Sequence, residues 1–417
     1  MSHDSSSARN RRPHALVVGG SMGGLFAALL LLRRGWTVDV YERISSELGG
    51  RGAGIVTHAE LFDILDACGI DSESAKIGVS VAGRRVFSGE GDLIGEQALP
   101  QVLTSWGRLY ALLKEQLPEG IYHHGCNIEN VTTTEDGVVA HFADGSRAEG
   151  DVLIGADGIF STVRAKFLPD VAPTYVGYVA WRGLVDESDL TPATRAALCD
   201  HFAFSLPPGE QMLGYPVAGA DESIEAGKRR FNFVWYRPAG QDGALRELLT
   251  DVDGVEHALS IPPHRIRPVV IDDLRRAAVD LLAPQFAEVV LRTQQPFIQA
   301  IQDLETPAMA LAGRIALIGD AAFVARPHVG MGVTKAAGDA LALADALASS
   351  PDDIPKALAR FDAARLPFGR AVIRRARHLG AYMQAQIATD EERAMAEKHR
   401  QPEAVMSETA VATGIAA

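Results

Sequence analysis

The chain has 417 residues, room for two or three domains and for far more buried core than marginal folding needs. Its 40 Lys+Arg against 53 Asp+Glu give a net charge of −13, without the basic excess that nucleic-acid binding uses, so no nucleic acid is expected as a partner. At 47% hydrophobic and 22% charged residues the composition excludes a disordered chain and points to a packed, enzyme-like body.

Residues 1–12 are polar and read as a disordered N-terminus. From Ala15 to Leu32 there are 18 uncharged residues behind Arg9, Arg11 and Arg12, the outline of a signal peptide or a short anchor. Gly19, Gly20, Gly23 and Gly24 break that run, and it ends in Arg33 and Arg34 where a cleavage site needs small residues. Ala15–Val18 is β-prone and Leu25–Leu32 is rich in helix formers, so the glycines separate a strand from a helix. With Gly35 as helix stop and a second strand ending at Glu42, the segment is a βαβ unit. A glycine turn lets the backbone approach a pyrophosphate at the helix N-terminus. Glu42 lies 23 residues after Gly19, the offset at which a carboxylate reaches ribose hydroxyls. The register of G-x-G-x-x-G is imperfect, with Ser21 in the second glycine place and Gly24 in the third; alone, the motif also fits an ordinary βαβ turn. No other stretch approaches membrane length, and no membrane partner is expected.

Further along, VLIGADG (152–158) is a short apolar strand ending in Asp157-Gly158, followed by Ser161, Val163 and Arg164. The segments RRVFSGEGDL, YVGYVAWRGLV, HFAFSLP, QMLGYPV and RFNFVWYRP have strand character and are expected to form one antiparallel sheet. RIALIGDAA (314–322) is another strand ending in Gly319-Asp320, then Pro327, then Gly330-Met331-Gly332 at the start of a helix running to about Leu347. Arg365, Arg370, Arg374, Arg375 and Arg377 sit on a late helix and read as a solvated face or a subunit contact. The tail beyond about 385 has no clear core pattern, and there are no internal repeats. Cys68, Cys126 and Cys199 are widely spaced, with no C-x-x-C pair, which suits a reducing, cytoplasmic location and gives no metal site.

These three motifs, in this order and spacing, resemble the FAD-dependent aromatic hydroxylases of the para-hydroxybenzoate hydroxylase type, a family of single-component flavin monooxygenases. The resemblance implies an α/β fold with an α+β insertion. A Rossmann-like FAD-binding domain (13–82, 100–172 and 295–384) would be interleaved with an antiparallel-sheet substrate domain (83–99 and 173–294), leaving 385–417 as a tail. It also implies FAD as cofactor, NADH or NADPH as co-substrate, molecular oxygen, a small aromatic or N-heteroaromatic substrate, and a homodimer. By the same resemblance Gly19, Gly24 and Glu42, with Ser21 in position only, hold the ADP half, and Gly20, Met22, Gly23, Arg43 and Arg51 are further cofactor-binding residues. Asp157 and Gly158 lie near the pyrophosphate and the nicotinamide cofactor, and Asp320 bonds the ribityl chain. Gly330, Met331, Gly332 and Val333 aim helix amides at the flavin N1–C2=O edge, where negative charge develops on reduction. Two departures stand out. Phe323 follows the G-D-A-A motif where many members have histidine, and Trp106 takes the place of an arginine, with Arg108 as its candidate substitute.

Such enzymes deliver an electrophilic oxygen from a C4a-hydroperoxyflavin, so the ring must be electron-rich, the pocket dry, and a proton-handling group close by. His328, Tyr215 and His58 are the candidate catalytic residues; Arg182, Tyr215 and Phe323 are the candidate substrate contacts. Each has a plainer alternative: His328 as a histidine bonding its loop, Tyr215 as a core tyrosine, His58 as a helix-start residue, and Arg182 as half of an inter-domain ion pair. The serine in the glycine turn and the R-P-H at 326–328 are shared with members acting on hydroxypyridines, which makes a (di)hydroxypyridine the preferred substrate. A hydroxybenzoate- or salicylate-type hydroxylase is the alternative, as is a flavoprotein dehydrogenase without oxygen insertion.

Overall fold

The computed structural model describes residues 11–48, 54–241, 243–383, 387 and 389–412. The chain opens with β1 (His14–Val18), α1 (Met22–Arg33) and β2 (Thr37–Glu42), the expected βαβ unit. There follow β3 (Gly54–Val56), α2 (Ala59–Ala67), the long hairpin β4 (Val79–Phe87) and β5 (Leu93–Ser105), α3 (Trp106–Glu115) and β6 (Tyr122–His124). A meander of β7 (Ile128–Thr133), β8 (Val138–Phe142) and β9 (Arg147–Gly150) leads into β10 (Val152–Gly155) and α4 (Thr162–Phe167).

The central region holds β11 (Thr174–Asp186), α5 (Pro192–Leu198), β12 (His201–Ser205), β13 (Gln211–Val217), β14 (Arg230–Pro238), α6 (Ala244–Leu248), α7 (Pro268–Leu281) and α8 (Pro284–Arg292). The chain continues through β15 (Phe297–Glu305), β16 (Ala310–Leu311), β17 (Ile315–Leu317), β18 (Phe323–Val324), α9 (Gly332–Ser349), α10 (Ile354–Gly380), α11 (Asp390–Lys398) and α12 (Pro402–Glu408).

The first sheet runs β16-β17-β10-β1-β2-β6, with β17, β10, β1, β2 and β6 parallel. Its central strand β1 is covered on both faces, which is why Ala15–Val18 is an unbroken apolar run. Helix α1 packs on it, and α9 packs on α1. The second sheet has nine strands in the order β18-β15-β11-β14-β13-β12-β4-β5-β3, antiparallel except where β12 meets β4. Alternation along these strands divides their side chains between two layers. Val179, Trp181, Met212, Phe233 and Trp235 face the core under α7 and α8, whereas Tyr178, Ala180, Leu213, Tyr215, Val234 and Tyr236 face the other side.

Sheet membership moves several boundaries from those read off the sequence. The hairpin β4–β5 crosses both 82/83 and 99/100 as one unit of the large sheet, and β3 and β15 join that sheet too. The tail is also different: Ala396, Val405, Met406 and Ala410 are buried in the layer above the large sheet. Its apolar positions are too few and too short in run to register as a helix pattern, and they gain a core only from strands distant in sequence. Of the late arginines, Arg370 and Arg374 are exposed, yet four of the five are ion-paired within the chain. Arg365 pairs with buried Asp339 at 2.8 Å, Arg370 with Glu305 at 3.3 Å, Arg375 with Glu408 at 3.0 Å and Arg377 with Asp303 at 3.1 Å. Among the described residues no helix is long and apolar enough to cross a membrane.

Candidate active site

Two clefts meet where the sheets join. The first, about 320 Å³, lies at the C-terminal ends of the parallel strands, the usual ligand crevice of such sheets, and Gly19, Ser21, Glu42, Arg43, Trp106, Asp157 and Gly158 line it. Gly19 has φ +105°, and a Cβ there would overlap the Ala156 carbonyl. A Cβ on Gly24 would overlap the Gly19 carbonyl, so both glycines are required by close approach. Gly20, Met22 and Gly23 do not line the cleft: Gly20 abuts the Tyr122 ring, Met22 is buried in the core, and Gly23 brings α1 to within van der Waals contact of Ala156 and Ala336.

Glu42 is fixed by two amides, Gly20 N donating to Oε2 and Ile44 N to Oε1, each at 2.9 Å. Ser21 is the N-cap of α1, but its side chain accepts no hydrogen bond there, and no acidic side chain stands in the first turn. The donors at that helix N-terminus are thus left for an anion. Asp157 accepts from Val163 N through Oδ2 at 3.1 Å, while its buried Oδ1 has no partner among the described residues; burial raises its pKa. Arg108 is not at this cleft. Its guanidinium donates to Ala75 O at 2.7 Å and sits 3.4 Å from Glu222. Two helical positions rotate a side chain by roughly 200°, so a helix that turns Trp106 toward the cleft turns Arg108 away. Arg51 lies outside the described residues.

The second cavity, about 230 Å³, lies between the large sheet and α9. Asp320 opens into it and makes no hydrogen bond to a described residue; desolvation in the cleft raises its pKa. Gly330, Met331, Gly332 and Val333 form the adjacent wall. Gly330 has φ +66°, and α9 starts with neither a capping side chain nor an acidic residue, a second helix N-terminus with open donors. The uncapped helix starts, the orphaned Asp157 oxygen and the open Asp320 carboxylate fit a dinucleotide such as FAD spanning both clefts.

Arg182, Tyr215 and Tyr236 come from β11, β13 and β14 and share one cavity wall. Arg182 pairs in register with Val234, and Val234 with Leu213. The Arg182 guanidinium lies close enough to the Tyr236 phenol to pull its pKa down against burial. No carboxylate among the described residues pairs with Arg182, and its buried Nε has no partner, so the inter-domain ion pair is not formed. Burial raises the pKa of Tyr215, and of Tyr236 to about 12, against the opposing pull of Arg182. Both phenols therefore stay protonated at neutral pH and act as donors.

His328 lines the same cavity with both ring nitrogens engaged. Nε2 accepts from Tyr178 OH at 3.0 Å, and Nδ1 donates to Gln211 Oε1 at 3.2 Å, as the amide oxygen requires. Burial, then Arg326, drives its pKa well below the usual histidine range, so the ring is neutral. His58 is the N-cap of α2, shares a 3.1 Å hydrogen bond with Thr334, and is absent from the cavity wall; burial lowers its pKa. Phe323 is also away from the cavity: it is fully buried against Gly369 of α10. Its neighbour Val324 points the other way and lines the cavity, so a one-residue alternation on β18 decides which of the two can meet a substrate. Sequence reading missed Tyr236, Tyr178 and Gln211, though strict alternation in RFNFVWYRP puts Tyr236 on the face of Val234. It also missed Thr409 and Ala410, which line the cavity from the tail.

A Rossmann-type cleft opening onto a cavity roofed by an antiparallel sheet, with a helix N-terminus at their junction, defines an FAD-dependent aromatic-ring monooxygenase, with NADH or NADPH as reductant. The chain belongs to the FAD binding domain family, which it matches over residues 12–197 and 277–376; residues 175–303 match an FAD binding domain-like family. It is 32% identical to 2,6-dihydroxypyridine 3-monooxygenase of Paenarthrobacter nicotinovorans, across 88% of this chain and 91% of that protein. It is 30% identical to 3-amino-4-hydroxybenzoate 2-monooxygenase of Streptomyces cremeus, across 87% and 86%. Among solved structures, 2,6-dihydroxypyridine-3-hydroxylase from Arthrobacter nicotinovorans superposes with a TM-score of 0.83 at 31% identity, covering 91% of this chain and 94% of that one. The family expected from the glycine and aspartate motifs is thus the family found.

Proposed function

We propose that this enzyme hydroxylates a small, anionic, hydroxylated N-heteroaromatic ring, with a (di)hydroxypyridine as the preferred substrate. One observation carries the reading: Arg182 stands on the cavity wall beside two protonated tyrosines, paired with no carboxylate among the described residues. A cation so placed lowers the pKa of a bound hydroxyl, and a deprotonated ring is the more nucleophilic one. The cavity, about 230 Å³, suits a single ring. The likeness to the dihydroxypyridine enzyme supports a pyridine. Arg182 serves a benzoate carboxylate equally well, and the likeness to the aminohydroxybenzoate enzyme supports that second reading.

Gly19, Ser21, Glu42 and Arg43 would hold the ADP half of FAD, Asp157 and Gly158 the pyrophosphate side, Asp320 the ribityl chain, and the α9 N-terminus at Gly330–Val333 the flavin edge. Bound and reduced, FAD supplies activated oxygen for transfer of one atom to the ring. The chain's own part is to bind and orient the ring anion through Arg182, Tyr215 and Tyr236, and to keep water out with Phe202, Leu213 and Val234. His328 handles the proton through Tyr178: its neutral Nε2 accepts from the phenol, beside which stands Arg326, itself paired with Asp303 at 2.9 Å. A homodimer in the cytoplasm completes the reading; the three cysteines are free thiols, and gel filtration tests the subunit number. The function is tested with FAD-loaded enzyme, NADH or NADPH, and a panel of hydroxypyridines, hydroxybenzoates and phenols, scored by oxygen uptake and product mass.

A further inference from the structure

The C-terminal segment reaches the substrate cavity. Thr409 and Ala410 follow α12 directly, and both line the cavity that holds Arg182 and Tyr215. Ala410 N donates to His328 O at 2.8 Å, and a Cβ on Gly330 would lie 2.7 Å from the Ala410 methyl, so the segment presses against the start of α9.

A buried arginine holds it there. Arg84 of β4 is fully enclosed and makes no ion pair with a described carboxylate. Its guanidinium donates instead to three carbonyls of the segment, Met406 O at 2.8 Å, Thr409 O at 2.5 Å and Ala410 O at 3.4 Å, and to Gln101 Oε1 at 3.2 Å. Its other face lies over the ring of Phe202, itself a cavity residue. A second clamp fixes the end of α12, where Glu408 bonds Arg375 at 3.0 Å and His399 at 3.1 Å. Capping the carbonyls of one turn needs only an exposed lysine or water. A desolvated guanidinium reaching three of them ties a particular stretch of backbone to the cavity wall. Thr409 lines the cavity, and its hydroxyl makes no hydrogen bond to a described residue.

We infer that Thr409 is a specificity-determining residue, its hydroxyl bonding a second polar substituent of the ring, and that Arg84 is the positioning residue that sets it in place. The inference rests on the reading of the cavity as the substrate site. Arg182, Tyr215 and Tyr236 take the anionic oxygen, and Thr409 distinguishes rings carrying another hydroxyl or carbonyl from rings without one.

The test uses full-length, FAD-loaded enzyme and two probes, 2,6-dihydroxypyridine and 2-hydroxypyridine, with Kd read from the perturbation of the flavin absorbance. Thr409→Val is expected to reduce the preference for the dihydroxy ring about fivefold to tenfold, the loss of one neutral hydrogen bond, and Thr409→Ser to restore it. Arg84→Lys keeps the charge but lacks the planar fork, and is expected to lose the same preference while FAD stays bound. An unchanged ratio in Thr409→Val, or failure of Thr409→Ser to restore it, overturns the inference. Wild-type enzyme that binds both probes but hydroxylates no ring in the panel defeats the functional reading while leaving the ratio to decide on Thr409; wild-type enzyme that binds neither defeats both.

Discussion

Arg182 and Tyr236 lie diagonally on adjacent strands and line one cavity, the guanidinium pulling on the phenol, and no carboxylate among the described residues pairs with Arg182. Arginines in sheet interiors usually meet an acid; under the proposed function the substrate anion would supply that charge. Arg182→Met is expected to weaken binding of an anionic ring on the order of 100-fold, the loss of a charge-assisted contact of about 2–3 kcal/mol, with FAD retained. Arg182→Lys should recover part of it. Titrations of each variant with 2,6-dihydroxypyridine check this; equal affinities would remove Arg182 from the site.

Gly54 and Tyr215 are in contact closely enough that a Cβ at 54 would overlap the phenol ring, and Gly54 N is held by Asn232 Oδ1 at 3.0 Å, so the strand cannot move away. Gly54→Ala should therefore displace Tyr215, costing roughly 1–3 kcal/mol of stability and at least tenfold in turnover. Thermal unfolding and steady-state rates read the two effects separately.

Glu42 does two things at once: it lines the first cleft, and it accepts from Gly20 N and Ile44 N. Glu42→Ala removes the acceptor for both amides and the proposed contact to the adenosine, and is expected to lower FAD affinity at least tenfold. Flavin fluorescence released on dilution measures it.

The buried, neutral His328 carries a sign that can be checked. Its folded pKa lies well below about 6.5, its value when unfolded, so the unfolded chain takes up a proton first as the pH falls. The contribution of this residue to stability is present above about pH 6.5 and is lost below it. His328→Gln should flatten the fall in unfolding free energy between pH 7.5 and 5.5 by about one proton's worth, though not abolish it, since His58 and His399 are also shifted down by burial. The same variant should slow turnover while keeping FAD, if the proton passes by Tyr178; unchanged pH–rate profiles would reject the relay.

The motifs were legible because each has a local physical cause. Gly19 and Gly24 are fixed by backbone approach, Glu42 by its offset, and Asp157, Asp320 and Gly330 by strand ends and a helix start. Function at the sheet was harder to read, because whether a side chain meets the cavity depends on strand register. Phe323 and Val324 differ by one position and face opposite ways, and Arg108 was turned from the cleft by helix rotation. Arg84, Thr409 and Ala410 were invisible, since their link joins residues 322 to 326 positions apart and no periodicity of the chain encodes it.

The most direct test of the whole account is product mass from the FAD-loaded enzyme supplied with NADH or NADPH and 2,6-dihydroxypyridine. The account expects oxygen uptake stimulated by the ring and a product heavier by one oxygen atom, both diminished on the order of 100-fold in Arg182→Met at limiting substrate. Reduced nicotinamide consumed with no oxygen entering the dihydroxypyridine or any other hydroxylated ring of the panel would contradict it.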